Sequence, residues 1–432
     1  MRGPIIEPVT DLATPLAPTR QAAGLRRAAP ALLGYAAVRV LGLVALALWS
    51  ATRDKSPHQL LTARWDSLWY TRVAELGYGY EVRLPDGDVH SNLAFFPLLP
   101  WLERAVSAVT PLSYADAGLV VSTLASLAAA SGIFAVADHV YGRRAGVCAV
   151  LLWAVLPVGI VQSMAYSESL FTALAAWSLY AVLTGRWLTA GLLASLAGLT
   201  RPVGAAVVAA VWVAASASFV RGSSAREPSE GSSSARDSSA RDSSTRDSPG
   251  RDSSVRERSV PASGGAPVWS RALGMLLAPL GAAGYVLWVG RHTGKGPLGY
   301  LDVQAGWGNG FDGGYAFARF VADKFTSFPS ALAGLGLIVG VGLVIWLYVI
   351  CVRQGQPLPL LVYAGVVTAL ALCASSYFGS KPRLLLPAFP LLLPLARALA
   401  RLRTPSSAWL LAGVASASAV YGAFWLNGSG PP

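Results

Sequence analysis

The sequence predicts an all-α, polytopic membrane protein, and three observations carry that prediction. Of its 432 residues, 54% are hydrophobic and only 13% are charged, with a mean hydropathy of +0.50; a soluble domain usually carries about a quarter charged residues. The apolar residues gather in runs long enough to cross a bilayer, which takes about 20 residues each. The formal net charge of +12 is spread as pairs at run ends, such as Arg143-Arg144 and Arg401/Arg403. That placement follows the positive-inside pattern and is not a phosphate-binding stripe, so nucleic acid is excluded and membrane lipids are the expected surroundings.

Residues 1–30 hold Pro4, Pro8, Pro15 and Pro18 and then Arg20, Arg26 and Arg27. They read as a disordered cytoplasmic tail with a basic flank. The run 31–50 reads as a retained first helix rather than a signal peptide, because its n-region is long and many spans follow. Arg39 inside it reads as a snorkelling side chain.

The stretch 51–115 is mixed, aromatic-rich and too long for a simple connection. Within it Trp65, Leu68, Trp69, Val73 and Leu76 fall at helical spacing, which predicts an amphipathic helix lying in the interface. Phe95-Phe96-Pro97-Leu98-Leu99-Pro100-Trp101 is apolar but twice interrupted by proline, which suits a re-entrant or interfacial segment. Apolar runs follow at 117–137, 145–165 and 169–185, then 187–220 with Thr200-Arg201-Pro202 inside it. The last is too long for one untilted crossing and reads as two short helices with Arg201 at the turn, the alternative being a single kinked helix. The repeated Ala-Arg-Asp-Ser-Ser pattern of 221–267 cannot bury a core and reads as a disordered cytoplasmic loop. Further runs at 269–290, 328–352, 358–378, 384–400 and 407–426 bring the expectation to about 11 spans. The chain thus divides into an N-terminal membrane region, 31–220, and a C-terminal one, 268–426, on either side of the loop.

With the N-terminus inside, the Arg-bearing ends at Arg143/Arg144, Arg186, Arg353 and Arg401/Arg403 are cytoplasmic. The large 51–115 loop then lies outside, with Glu168, Arg201, Gln304 and the Lys381-Pro382-Arg383 turn on the same face.

Chemistry is expected there. Asp66 starts a helix, where a carboxylate is ordinarily a first-turn or capping group. Its neighbours Trp65, Trp69, Tyr70, Phe95 and Phe96 make it more: sugars stack on aromatic faces, and a carboxylate among them can take a proton from an attacking hydroxyl. Glu168 sits on a tight turn where it can orient an acceptor. Arg201, Lys381 and Arg383 stand beside prolines at outer helix ends, against the usual charge bias, and suit a lipid phosphate. The four histidines are scattered and the three cysteines lie in apolar segments without ligand spacing, so no metal site is expected.

Arg64-Trp-Asp-Ser-Leu-Trp-Tyr70, Gly77-Tyr78 and Asn92-Leu-Ala-Phe-Phe-Pro-Leu-Leu-Pro100 closely resemble the PIG-V family, which contains the second mannosyltransferase of GPI-anchor synthesis and its bacterial relatives. Tyr166-Ser-Glu-Ser-Leu-Phe171, Leu199-Thr-Arg-Pro-Val-Gly204, Gln304 with Trp307, and Pro382-Arg383 follow in the same order. The resemblance implies a GT-C type glycosyltransferase of the bacterial plasma membrane with a polyprenyl-phosphate sugar as donor and no further cofactor. It implies that Asp66 is the general base and that transfer inverts the sugar. The donor phosphate would leave toward Arg201 or Arg383, with Arg64, Asn92, Gln304 and Trp307 lining the donor and acceptor site. The acceptor, whether glycan, lipid or protein, does not carry over, and mannose carries over from the family alone. A secondary transporter is the rival class; it would show internal repeats and mid-membrane charges, whereas no repeat is visible and the candidate residues lie at helix ends.

Overall fold

Apolar runs become helices because a bilayer leaves each backbone N–H and C=O to be satisfied within its own segment. In the computed structural model, residues 20–85, 87–224, 267–375 and 377–428 are described. The expected tail up to residue 19 and most of the expected loop, 225–266, lie outside these. Helix α1 (Arg20–Ala51) begins within the stretch expected to be tail. Then come α2 (Pro57–Thr62), α3 (Asp66–Leu76) and a hairpin of β1 (Glu81–Arg83) and β2 (Val89–Ser91), followed by α4 (Leu98–Val109). The remainder of the N-terminal region is α5 (Tyr114–Tyr141), α6 (Arg143–Ala154), α7 (Ser167–Leu183), α8 (Trp187–Gly198) and α9 (Ala205–Ser224). The C-terminal region holds α10 (Val268–Leu277), α11 (Leu280–His292), α12 (Gly299–Ala305), α13 (Tyr315–Asp323), α14 (Ser330–Arg353), α15 (Leu358–Cys373), α16 (Lys381–Leu384), α17 (Leu393–Arg401) and α18 (Thr404–Leu426). Strand β3 (Gly310–Phe311) pairs antiparallel with β4 (Ala374–Ser375).

The chain is a multi-pass membrane protein. Among the described residues, six helices are long and apolar enough to cross a membrane, or seven if the bent pair Phe378–Leu384 and Phe389–Arg401 forms one span. Helices α7, α8 and α15 are apolar but shorter, so the expected number of full spans exceeds the number of full-length helices. Proline accounts for much of the difference. Pro157 removes a donor and crowds the carbonyl four residues earlier, so α6 stops at Ala154 and a 3-10 turn, Gly159–Ser163, completes the passage. The Trp153 carbonyl freed there accepts the Gln162 amide at 2.8 Å. Arg39 donates to the carbonyls of Ala154 and Gly159 at the same break. It is not the snorkelling residue expected; a buried helix end left its carbonyls unpaired, and an arginine with five donors satisfies them.

Two opposite ends of the helix assembly are defined by contacts. At one, Arg27 pairs with Asp138 at 2.6 Å, Arg143 donates to the Arg27 carbonyl at 3.3 Å and Arg144 to that of Leu402. At the other, Asn427 meets Ser50 at 3.1 Å, and the Ala165 N–H donates to the Leu61 carbonyl at 2.9 Å. The 51–115 stretch packs over this second end, with α4 against α5 and α3.

Helix α8 lies backbone to backbone on α10 and α11 through Gly191 against Gly274 and Gly281 against the Ser195 carbonyl. Small residues permit this approach, the usual device where lipid removes the hydrophobic drive between helices. Gly281→Val puts side-chain atoms into that carbonyl, which cannot swing away. The variant is expected to lose about 1–3 kcal/mol, read as a lower melting temperature in detergent, while Gly284→Ala, which meets nothing within 4 Å, leaves it unchanged.

Candidate active site

Asp66 opens α3, where the unpaired N–H groups and the helix dipole favour a carboxylate. The preceding Trp65 holds φ at +51°, in the left-handed region that non-glycine residues rarely adopt. The turn is locked by Ser67, whose hydroxyl donates to the Arg64 carbonyl at 2.6 Å and accepts from the Arg64 N–H at 2.8 Å. Such backbone strain, held by its surroundings, aims the Asp66 carboxylate out of the helix.

What it meets comes from the far end of the chain. Asp66 Oδ2 lies 2.8 Å from Arg383 Nη1. The Nε of the same guanidinium is 3.2 Å from Glu168 Oε1, and Arg201 Nη1 is 2.5 Å from that oxygen. Arg201 also reaches Ser167 Oγ at 3.4 Å, and Ser167 meets the Tyr70 hydroxyl at 2.7 Å. Each position has a local cause. Arg201 precedes Pro202, which excludes the helical region and holds it extended (φ −160°, ψ 154°). Glu168 stands in the first turn of α7. Arg383 belongs to α16, the short helix before the 73° bend, and its guanidinium lies 5.2 Å from the Tyr166 ring centroid. The four charges are unequally enclosed: the Glu168 side chain is 1% exposed, Arg383 9%, Arg201 13% and Asp66 25%.

Beside Asp66 stands a shelf of rings. Trp69, one turn along α3, stacks on Phe95 at 5.6 Å with 5° between planes, and meets Trp307 edge-on at 4.8 Å. His90 stacks on the other side of Trp307 at 4.1 Å. Tyr70 meets Phe95 edge-on at 5.2 Å.

Other residues named from the sequence serve as framework. Arg64 turns to the α18 carbonyl end at Leu426 and Gly428 and stacks over Trp65 at 3.9 Å. Asn92 is fully buried, accepting from the Gly79 N–H at 3.1 Å and donating to the Gly77 carbonyl at 2.9 Å. Both glycines have positive φ, so the amide pins a loop only glycine can make. Gln304 accepts from Asn309 at 2.9 Å and donates to the Tyr300 hydroxyl at 2.6 Å. Trp307 donates to the Ser91 carbonyl at 2.9 Å and meets Trp69 and Phe95 edge-on. Phe96 packs inward on Tyr285 at 4.5 Å. Lys381 donates to the carbonyls of Ala371 and Ala374, both at 2.8 Å, closing the end of α15 under Phe317 and Phe378. Of the three cations expected to meet phosphate, the structure brings Arg383 to Asp66, joins Arg201 to the same cluster through Glu168, and places Lys381 at a helix end. Tyr166 and Ser167, read from the sequence only as motif members, join the charged cluster directly.

Comparison with known proteins agrees with the sequence motifs. Residues 50–221 match the family model described as Mannosyltransferase (PIG-V), so the resemblance is borne out over the stretch holding Asp66, Phe95, Glu168 and Arg201. No curated protein matches. Among solved structures, the chain is similar to ArnT from Cupriavidus metallidurans bound to undecaprenyl phosphate, at 15% identity and TM-score 0.47, covering 86% of this chain and 61% of that one. It is also similar to the apo state of the same protein, at 12% identity and TM-score 0.42, covering 87% and 57%. The chain thus spans about three fifths of the length of those structures.

One carboxyl near the site was not singled out in the sequence. Glu103 of α4 is fully buried, and its Oε1 occupies the space that a Cβ on Gly118 would take, next to Ala165. Burial pushes it up to about 9 from an ordinary 4.5. Between those values the folded state holds one proton more than the unfolded chain, so stability falls as pH rises through that window and levels off above it. Glu103→Gln is expected to melt higher than the parent at pH 8. The difference shrinks toward pH 4.5 by at most about 1.4 kcal/mol per unit, measurable by thermal unfolding in detergent.

Proposed function

We propose that the protein is a membrane glycosyltransferase that moves a sugar, mannose by family resemblance, from a polyprenyl-phosphate donor to an acceptor hydroxyl. The observation that carries this reading is a partly open carboxylate beside an aromatic shelf, with two guanidiniums directly behind it. Setting Asp66 aside, Arg201 and Arg383 against Glu168 leave one net positive charge, which matches the single negative charge of a phosphodiester such as a polyprenyl-phosphate sugar.

The step follows from those parts. The acceptor oxygen attacks the anomeric carbon from the face opposite the phosphate, and Asp66 takes its proton. The bond between that carbon and the phosphate oxygen breaks, its electron pair leaves on the phosphate, and Arg201 and Arg383 receive the added charge. Attack from the opposite face inverts the sugar. Trp69 and Trp307 supply flat apolar faces for it. No reductant, oxidant or further cofactor enters this balance.

The sidedness rests on charge. The end bearing Arg27, Arg143 and Arg144 is the arginine-rich one, and the positive-inside rule makes it cytoplasmic. The N-terminus is then inside, and Asp66 works on the extracytoplasmic face. A transporter would need its charges midway along the helices, whereas these four stand at helix ends.

Asp66→Asn keeps the shape and removes the base. Purified protein supplied with polyprenyl-phosphate-mannose and membrane extract as acceptor source is expected to lose about 100-fold or more in transfer, with its melting temperature retained. Full activity in that variant would remove Asp66 from the chemistry.

A further inference from the structure

The four charges form a neutral set, and this has a consequence for the order of events. Arg383 presents two separate edges. Its Nε is held by Glu168 at 3.2 Å and its Nη1 by Asp66 at 2.8 Å. A donor phosphate reaching Arg383 therefore finds the outer edge of the guanidinium already occupied by the carboxylate that is to serve as base.

The two carboxylates differ in how readily they can yield. Glu168 is enclosed and bridges both arginines, so moving it would leave Arg201 without a carboxylate and Arg383 with Asp66 alone, a change that is strongly unfavourable. Asp66 is a quarter exposed and holds one guanidinium by one oxygen. It sits on the first turn of α3, where the dipole supports its charge when the ion pair opens. A pair with one partly exposed member opens to water more readily than a fully enclosed one. Glu168 is thus the fixed anion of the set and Asp66 the exchangeable one.

We propose, building on the glycosyltransferase reading above, that Asp66 and the donor phosphate compete for Arg383. Donor binding frees the carboxylate to turn to the acceptor hydroxyl. Donor then precedes base, and Glu168 acts as a positioning residue that keeps both guanidiniums in place through the exchange. After transfer Asp66 is protonated and the phosphate carries the extra charge; once Asp66 gives up its proton it can reclaim Arg383 and help expel the product lipid.

The test is equilibrium binding of a short-chain polyprenyl monophosphate to the full-length protein in nanodiscs, in the parent, Asp66→Asn and Glu168→Gln, with melting temperatures recorded for each. Competition predicts that Asp66→Asn, inactive in transfer, binds the phosphate at least about threefold tighter than the parent. Glu168→Gln is expected to bind more weakly. Binding of equal or lower strength in Asp66→Asn overturns the exchange while leaving the phosphate site intact. Equal tightening in both variants also overturns it, because the effect is then general electrostatics. If neither parent nor Asp66→Asn binds the phosphate, the glycosyltransferase reading fails and the exchange with it. Asp66→Ala repeats the measurement without the amide and must tighten as well.

Discussion

Burying an unpaired charge at a membrane-embedded helix end is too unfavourable to leave uncompensated, and this constraint organises the site. Glu168, Arg201, Arg383 and Asp66 stand on four separate segments, and each needs an opposite charge. Arg201 and Glu168 tie the α8–α9 turn to the start of α7; Arg383 ties the bend before α17 to both α7 and α3. The cluster is therefore a fastening as well as the proposed centre of chemistry. Its pairing also decides which groups are available: three of the four are enclosed, and the base candidate is the one that faces out.

Around it the backbone is irregular wherever the chain must turn at the membrane surface, and polar side chains account for the loose ends. Lys381 closes α15, Arg39 closes α6, Arg64 closes α18, and Asn92 bridges Gly77 and Gly79. These residues share one physical task, which is to replace water at carbonyls and N–H groups that lie where water is scarce. That task explains why several polar residues in the motif-bearing loops point away from the aromatic shelf. Their loss would shift the shelf and the Asp66 carboxylate without touching either directly.

The membrane class, the helix break at Arg201 and the shared face of the charged residues were legible in the sequence for different reasons. Composition gives the class because a bilayer tolerates few charges. The break at Arg201 is legible because Pro202 dictates the conformation of the residue before it. The shared face of Asp66, Glu168, Arg201 and Arg383 follows from counting passages and placing arginines. The role of Lys381 was not legible: a lysine beside a proline at a helix end reads alike whether it meets a phosphate or the carbonyls of a neighbouring helix. Arg39 misled in the same way, since snorkelling and capping use the same residue at the same depth. Glu103 gave no signal at all, because its isolation arises from Gly118 and Ala165, which pack against it from another helix and another turn.

By itself the sequence determined a chain of apolar helices, the breaks that proline puts in them, and a motif set resembling one transferase family. Those properties are local or additive: hydropathy, proline geometry and arginine bias act within a few residues of where they are written. Only the tertiary structure decided that Asp66 is bound to Arg383, that Glu168 serves two guanidiniums at once, and that Lys381 serves none of them. Pairing depends on distance between segments up to hundreds of residues apart, and no pattern along the chain encodes which of several equivalent cations comes within about 3 Å of a given carboxylate.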